Sequence, residues 1–281
     1  SIMIEALPFV LIGSIISGFI DVYITPDRVH AFLPQNKILR ILFGTFVGFI
    51  FLSCECGIVP IVNRFLEKKV PTYTAVPFLA TAPVINPIVL FATYTAFGNS
   101  VRFALFRALG SILVALVLGI FWGFVVKEPI LKKDGKKDHL HDFSDKQGWT
   151  KVGYALIQAI DEFFDMGRYL VFGCLFASFV QVYVPTYVLT RIGHNSLTAI
   201  LLMMVLAFLL SLCSEADAFI GASLLASFGF APVMAFLIIG PMIDIKNLLM
   251  MKNHFTNKFI LQFISLITLV ILVYSLMIGG F

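Results

Sequence analysis

Long apolar stretches alternate with short polar connections along almost the whole chain. The apolar segments fall at about 2–24, 38–66, 72–97, 101–126, 166–184, 196–227, 231–251 and 258–280. A hydrocarbon core about 30 Å thick needs about 20 apolar residues for each spanning helix. The pattern therefore predicts an all-α polytopic membrane protein with about eight transmembrane segments.

Composition and charge narrow the class of protein further. Apolar residues make up 59% of the chain and charged residues only 13%, against roughly 25% charged residues in an average soluble domain. The formal charge of +4 is small and scattered, so we expect the lipid bilayer as a partner and no nucleic acid. Because Ser1 already lies in an apolar run, we expect the natural chain to start further upstream.

The chain divides at its one strongly polar stretch, residues 127–151, which carries seven lysines and five acidic residues. This composition is typical of a flexible linker. The regions on either side, 1–126 and 152–281, share landmarks at a nearly constant offset. Cys54 and Cys213 are 159 residues apart, and Asn86 and Asp244 are 158 apart. We therefore predict two homologous transmembrane halves, in either parallel or inverted orientation.

Four apolar segments are interrupted near their centres by polar residues, glycine or proline. The interruptions are Ser53–Gly57 followed by Pro60, Pro83–Pro87, Cys213–Asp217 and Gly240–Asp244. Proline removes a helical hydrogen bond, so we predict helix breaks at Gly57, Pro60, Pro83, Pro87 and Pro241. Irregular backbone at membrane depth must be buried in protein or line a polar cavity. The breaks are therefore predicted to meet at a central cavity.

Acidic side chains at these breaks are costly in a bilayer, at roughly 2.5–3.5 kcal/mol each when charged and unpaired. They are Glu55, Glu215, Asp217 and Asp244. No lysine or arginine lies within the breaks. We expect Lys246, two residues after Asp244, to point elsewhere on its helix. Arg107 is expected to extend toward the membrane surface, and pairing with a cavity acid is the alternative. The acids are then expected to be protonated, to bind a transported cation or proton, or to face water.

The polar residues of the breaks form the candidate substrate site. They are Cys54, Glu55, Cys56, Asn86, Cys213, Ser214, Glu215, Asp217 and Asp244. Soft sulfur beside carboxylate favours a thiophilic metal or metalloid, so Cys54, Cys56, Cys213 and Glu215 are candidate metal ligands. Such a metal would be a transported substrate, and no resident cofactor is expected.

Several of these polar residues and cysteines could instead have purely structural roles. Asn86 and Asn63 could cap half-helices instead of binding substrate. We interpret Cys174 as a packing residue.

The four interruptions, together with Glu5-Ala6-Leu7-Pro8-Phe9, resemble the ArsP/YraQ-like permease family over essentially the whole chain apart from the linker. The resemblance implies a multi-pass permease of the bacterial inner membrane. Characterised members export trivalent organoarsenicals, so the resemblance also implies efflux of a small solute. Some relatives work with a second membrane subunit, which makes such a partner an expectation here.

Two other classes of function remain open. One is a membrane thiol oxidoreductase that uses Cys54 and Cys56, and the other is a membrane subunit that scaffolds a partner protein. The sequence contains no His-Glu-x-x-His pair, no Gly-x-Ser-x-Gly motif and no glycine-rich phosphate loop. We therefore predict a permease that works by alternating access rather than an enzyme.

Overall fold

The structure is a computed structural model that describes residues 2–23, 33–50, 55–126, 130–132, 152–161, a few positions between 163 and 175, and 196–279. Of Glu55 and Cys56 it describes the backbone alone. The regular elements of these residues are helical, as predicted. They are α1 (Ile2–Tyr23), α2 (Lys37–Ile50), α3 (Glu55–Glu67), α4 (Thr72–Thr81), α5 (Pro87–Ala96), α6 (Val101–Ile120, followed by a π-helical turn at Phe121–Val125), α7 (Ser196–Leu210), α8 (Ser214–Phe228), α9 (Phe230–Met242), α10 (Ile245–His254) and α11 (Asn257–Gly279).

Among the residues that the structure describes, three helical stretches are long and apolar enough to cross a membrane, namely Val101–Val125, Phe230–His254 and Asn257–Gly279. Over its 18-residue apolar part, the second stretch is 89% buried inside the protein, whereas the first is 39% buried and the third 28%. Because a helix that faces lipid must leave much of its surface exposed, the Phe230–His254 stretch occupies the centre of the described structure. The shorter apolar helices include Leu11–Ile20, Pro87–Ala96 and Ser196–Leu210.

The break between α4 and α5 has a local chemical cause. Asn86 precedes α5, and its side-chain oxygen accepts a hydrogen bond from the Ile88 N–H at 2.9 Å. Pro87 is the first residue of α5, where its missing N–H costs no helical bond. A side-chain cap followed by proline starts a new helix here, six residues after α4 ends at Thr81.

The break between α9 and α10 is built in a similar way. Helix α9 ends at Met242, one residue after Pro241. Asp244 then caps α10, and its Oδ1 accepts from the Asn247 N–H at 2.5 Å. Its extended backbone, with φ −136° and ψ 168°, turns the chain into the new helix.

Gly57 and Pro60 lie inside α3 and not in a break, contrary to the prediction. Pro60 is the sixth residue of α3, so the helix continues through it at the cost of one backbone hydrogen bond. Gly57 serves close packing instead, because a Cβ built on Gly13 of α1 would lie 2.6 Å from the Gly57 Cα. Residues 51–54, which precede α3, lie outside the described residues.

Glycines also set the distance between α2 and α4. A Cβ on Gly44 would collide with the Thr74 carbonyl oxygen, and one on Gly48 would lie 2.8 Å from the Ala82 N. The Gly-x-x-x-Gly spacing thus lets the two backbones approach closely, as it does in many membrane helix pairs.

The first residues of the linker lie against the corner between α10 and α11. The Thr256 N–H donates to the Ile130 carbonyl at 2.9 Å, and the Lys132 N–H donates to the His254 carbonyl at 2.9 Å. Leu131 and Phe255 form an isolated antiparallel bridge there. The rest of the predicted linker lies outside the described residues.

Replacing Gly44 by alanine should lower the free energy of unfolding by about 1–3 kcal/mol, because the new methyl group overpacks a backbone contact. Gly123→Ala is the matched control, since the nearest atom to its added Cβ would be 3.4 Å away. Thermal unfolding in detergent measures both variants. Equal stability of G44A and G123A would contradict the assigned α2–α4 packing.

Candidate functional site

Two of the helix breaks lie directly against each other. The Ile245 N–H donates to Ser211 Oγ at 3.0 Å, and this hydroxyl donates to the Phe208 carbonyl at 3.0 Å. Ser211 is fully buried and has a φ of +46°, which is uncommon for a residue with a side chain. The break at 211–213 is therefore held against the first residue of α10, next to Asp244.

Cys213 and Glu215, two of the predicted metal ligands, lie side by side where α8 begins. Cys213 Sγ donates to Glu215 Oε2 at 2.8 Å, and both side chains are half-buried. The first turn of a helix favours a negative charge, which suits the Glu215 carboxylate. The pair is thus a thiol and a carboxylate held together at the edge of a helix break.

The other two predicted metal ligands, Cys54 and the side chain of Cys56, lie outside the described residues, as does the side chain of the candidate site residue Glu55. Within the part of the chain that the structure describes, no three His, Cys, Asp or Glu side chains are grouped to hold a metal ion. The four-ligand metal site, like the central cavity, stays a prediction.

Asp244 and Lys246 form a buried ion pair, so the prediction that Lys246 points elsewhere was wrong. Lys246 Nζ lies 3.5 Å from Asp244 Oδ2, and both side chains are almost fully buried. The rule that residues two apart do not face each other applies within a helix. Asp244 precedes α10 with extended backbone, which allows its carboxylate to lie beside Lys246.

Arg107 of α6 does not extend to the membrane surface, contrary to expectation. Its side chain is fully buried, with Nη1 donating to Thr93 Oγ1 at 2.6 Å and Nη2 donating to the Ser214 carbonyl at 3.2 Å. The guanidinium presents several donors in a rigid fork. It therefore connects α5 to the first residue of α8, immediately beside Cys213.

Asp217 lies deep in the protein against the backbone of α9. It is 1% exposed, and a Cβ on Gly240 would lie 2.5 Å from its Oδ2. Glycine at position 240 is thus the residue that leaves room for this carboxylate, one position before Pro241.

The buried charges of the described residues balance. Asp217 and Asp244 are matched in number by Arg107 and Lys246, all of them at most 1% exposed. Sequence reasoning considered both cations but placed neither at the breaks, since one comes from a neighbouring helix and the other from the start of α10. The signal was present, since the penalty on an intramembrane carboxylate applies equally to an arginine in an apolar run.

The two asparagines and Ser214 have structural partners. Asn86 caps α5, as its alternative interpretation held. Asn63 caps no helix, because its Nδ2 donates to Glu67 Oε1 at 3.0 Å within α3. Ser214 is buried, and its carbonyl accepts from Arg107.

Comparison with known proteins assigns the chain to a family. Residues 1–280 match the ArsP_1 family, described as predicted permease. The chain belongs to this family.

Two relatives agree with the assignment over nearly their whole length. A Streptococcus mutans protein, provisionally named a two-component membrane permease complex subunit, is 68% identical over 99% of this chain and 93% of its own. The UPF0718 protein YcgR of Bacillus subtilis is 44% identical over 100% of this chain and 95% of its own. No solved structure matches significantly.

Membership in this permease family indicates a membrane transporter rather than an enzyme. It supports the resemblance drawn from the break motifs. It also makes the buried polar breaks the natural place to look for a solute path, because discontinuous helices build the binding sites of many transporters.

Replacing Arg107 by methionine should lower the free energy of unfolding by about 3 kcal/mol, because Thr93 and the Ser214 carbonyl would lose a charged donor inside the protein. Arg107→Lys should fall between R107M and the parent, since one ammonium reaches fewer partners. Chemical denaturation in detergent measures the series.

Arg102→Met is the control for this series. Arg102 lies on the same helix but is exposed over the rings of Phe106 and Phe230, so its loss should cost less than about 1 kcal/mol. If R107M and R102M are equally stable, the proposed bridge between α5 and α8 is wrong.

Proposed function

We propose that the protein is a multi-pass permease of the bacterial inner membrane that binds a small solute at its helix breaks and exposes it alternately to the two sides. The observation that carries the proposal is the contact between two polar breaks, in which Ser211 accepts from the Ile245 N–H. Broken helices that meet inside an apolar protein supply backbone and side-chain groups that a solute can use.

The packing of the helices supports a division into two homologous halves. Helices α2–α6 and α7–α11 follow each other in the same order, and the third helix of each set is followed by a described break. Between the sets, α3 packs against α10 and α5 packs against α8. Helices α3 and α8 are each the second of their set, and α5 and α10 are each the fourth. In both contacts the second helix of one set therefore packs against the fourth helix of the other, as a two-fold relation between the halves requires. We propose that the halves are 1–126 and 152–281, with 127–151 as linker.

We propose a thiophilic metal or metalloid species, similar to a trivalent organoarsenical, as the solute. The support is chemical: Cys213 Sγ lies 2.8 Å from Glu215 Oε2, and both are half-buried rather than sealed in the core. Soft thiolate with carboxylate is a donor set that such a species prefers. Cys54, Glu55 and Cys56 complete the proposed ligands, and Asn86, Ser214, Asp217 and Asp244 support the proposed site from the breaks themselves.

Replacing Cys213 by alanine should weaken the apparent affinity for the transported species about 10-fold or more, because a multidentate soft site loses a ligand. Proteoliposomes supplied with an imposed ion gradient and no ATP would be tested with a trivalent organoarsenical, arsenite, Cd²⁺ and Zn²⁺. The measurement is the initial rate of uptake against concentration. Cys54→Ala should have a comparable effect.

Cys174→Ala is the matched control, since it removes the same group outside the proposed site. We expect it to leave the affinity unchanged while any packing effect appears as lower yield or thermal stability. If all of these variants transport like the parent, the cysteines are packing residues. The site then consists of carboxyl and amide groups, which favour a harder cation or an organic solute.

A second candidate function is that of one membrane subunit in a two-component permease. The observation that favours it is the name of the Streptococcus mutans relative, a two-component membrane permease complex subunit that is 68% identical to this chain. In this case the chain would hold the solute path and a second subunit would complete it.

The two-subunit arrangement predicts that protein extracted from its native membrane in mild detergent contains a second membrane polypeptide in fixed stoichiometry. Removing that polypeptide should reduce uptake in proteoliposomes, and adding it back should restore the rate. Full uptake by the single chain would contradict the two-subunit arrangement but would agree with the proposed permease function.

A further inference from the structure

A groove of about 350 Å³ opens on the surface between α10 and α11. Aliphatic side chains line most of it, namely Leu248, Leu249, Ile260, Leu261 and Ile264. Two polar residues, Lys252 and Asn257, also border it. The groove lies apart from the helix breaks, and nothing in the proposed transport mechanism uses it.

The groove is polar at one end and apolar at the other. Lys252 lies in the last turn of α10 and Asn257 is the first residue of α11, so both border the corner that joins these helices. Ile264 lies seven residues further along α11, about 10 Å deeper at 1.5 Å per residue. Since the apolar stretches Phe230–His254 and Asn257–Gly279 both end at this corner, the polar end lies at the level of the membrane surface.

The described charged residues around the polar end are lysines. Residues 245–281 contain three lysines and no acidic residue. Lys246 is buried beside Asp244, whereas Lys252 and Lys258 are exposed. Lys132, from the start of the linker, donates through Nζ to the Lys252 carbonyl and adds another ammonium group at the same place.

We propose that this groove binds an anionic phospholipid, with its phosphate at Lys252 and Lys132 and an acyl chain along the aliphatic floor. Basic residues at a membrane surface attract anionic lipid, and the floor offers burial to a hydrocarbon chain. The inference rests on the membrane location in the proposed function. The volume is that of a small-ligand site, whereas a stable protein interface buries about 800 Å² on each partner, so a lipid fits better than a subunit.

The experiment compares phosphatidylglycerol with phosphatidylcholine of the same acyl chains, each added to the full-length protein in detergent. Thermal unfolding followed by tryptophan fluorescence reports binding. Phosphatidylglycerol should raise the Tm at lower concentration than phosphatidylcholine does. Lys252→Gln should weaken the effect of phosphatidylglycerol about five-fold, the contribution of about 1 kcal/mol expected of one lysine near an anionic surface.

Two further variants test the parts of the proposed site separately. Leu249→Trp fills the groove and should weaken the response to both lipids. Lys69→Gln removes an equally exposed lysine far along the chain, on the connection after α3, and should respond like the parent.

Four results would overturn the proposal. They are equal responses to the two lipids in the parent, equal behaviour of K252Q and K69Q, stabilisation by glycerol phosphate as strong as by phosphatidylglycerol, and a copurified polypeptide at the groove that phosphatidylglycerol does not displace. Because binding is measured without transport, failure here leaves the proposed permease function standing. Failure of the transport assay would equally leave the lipid result unchanged.

Discussion

Burying charge inside apolar helices is the constraint on which the described structure depends. Asp217, Asp244, Arg107 and Lys246 are all sealed from solvent, and each would be costly alone in a medium of low polarity. The chain meets this cost by balancing the charges and by bringing in backbone groups that only a broken helix leaves available. The carbonyl of Ser214, which accepts from Arg107, is such a group.

This constraint explains why the breaks must touch other elements. An interrupted helix in lipid would expose unsatisfied N–H and carbonyl groups, so each break is buried against a neighbour. Ser211 supplies an acceptor to the first N–H of α10, and Asn86 and Asp244 supply acceptors to their own helices. Small residues allow the approach, since a side chain added at Gly13, Gly44 or Gly240 would collide with a neighbouring segment.

Burial separates two groups of polar residues with different uses. Arg107 hydrogen-bonds Thr93 and Ser214, and Asp244 pairs with Lys246, which makes these buried residues suited to holding the breaks in place. Cys213 and Glu215 are half-buried and sit immediately beside Ser214, which Arg107 anchors. A rigid support beneath an accessible thiol and carboxylate suits the role proposed for them as solute ligands. Family membership and the two relatives place this arrangement in a permease.

The sequence alone determined the class of the protein and the positions of the breaks at Asn86, Cys213 and Asp244. Apolar run length is a direct consequence of the bilayer as solvent, and a cap followed by proline at Asn86-Pro87 is a local property of the backbone. The break motifs also identified the permease family. These inferences needed only neighbouring residues.

The tertiary structure decided which residues the breaks use as partners. Arg107 lies 107 positions before Ser214, so no local pattern could show that its guanidinium reaches that carbonyl. Lys246 was misread because the helical spacing rule was applied across Asp244, whose extended conformation follows from its role as a cap. Gly57 and Pro60 were predicted to break a helix from their residue types, whereas both lie within a continuous α3. Gly57 is packed closely against Gly13 of α1. Contacts between distant segments decide these cases, because the free energy of a buried charge or a close backbone contact depends on what lies across from it.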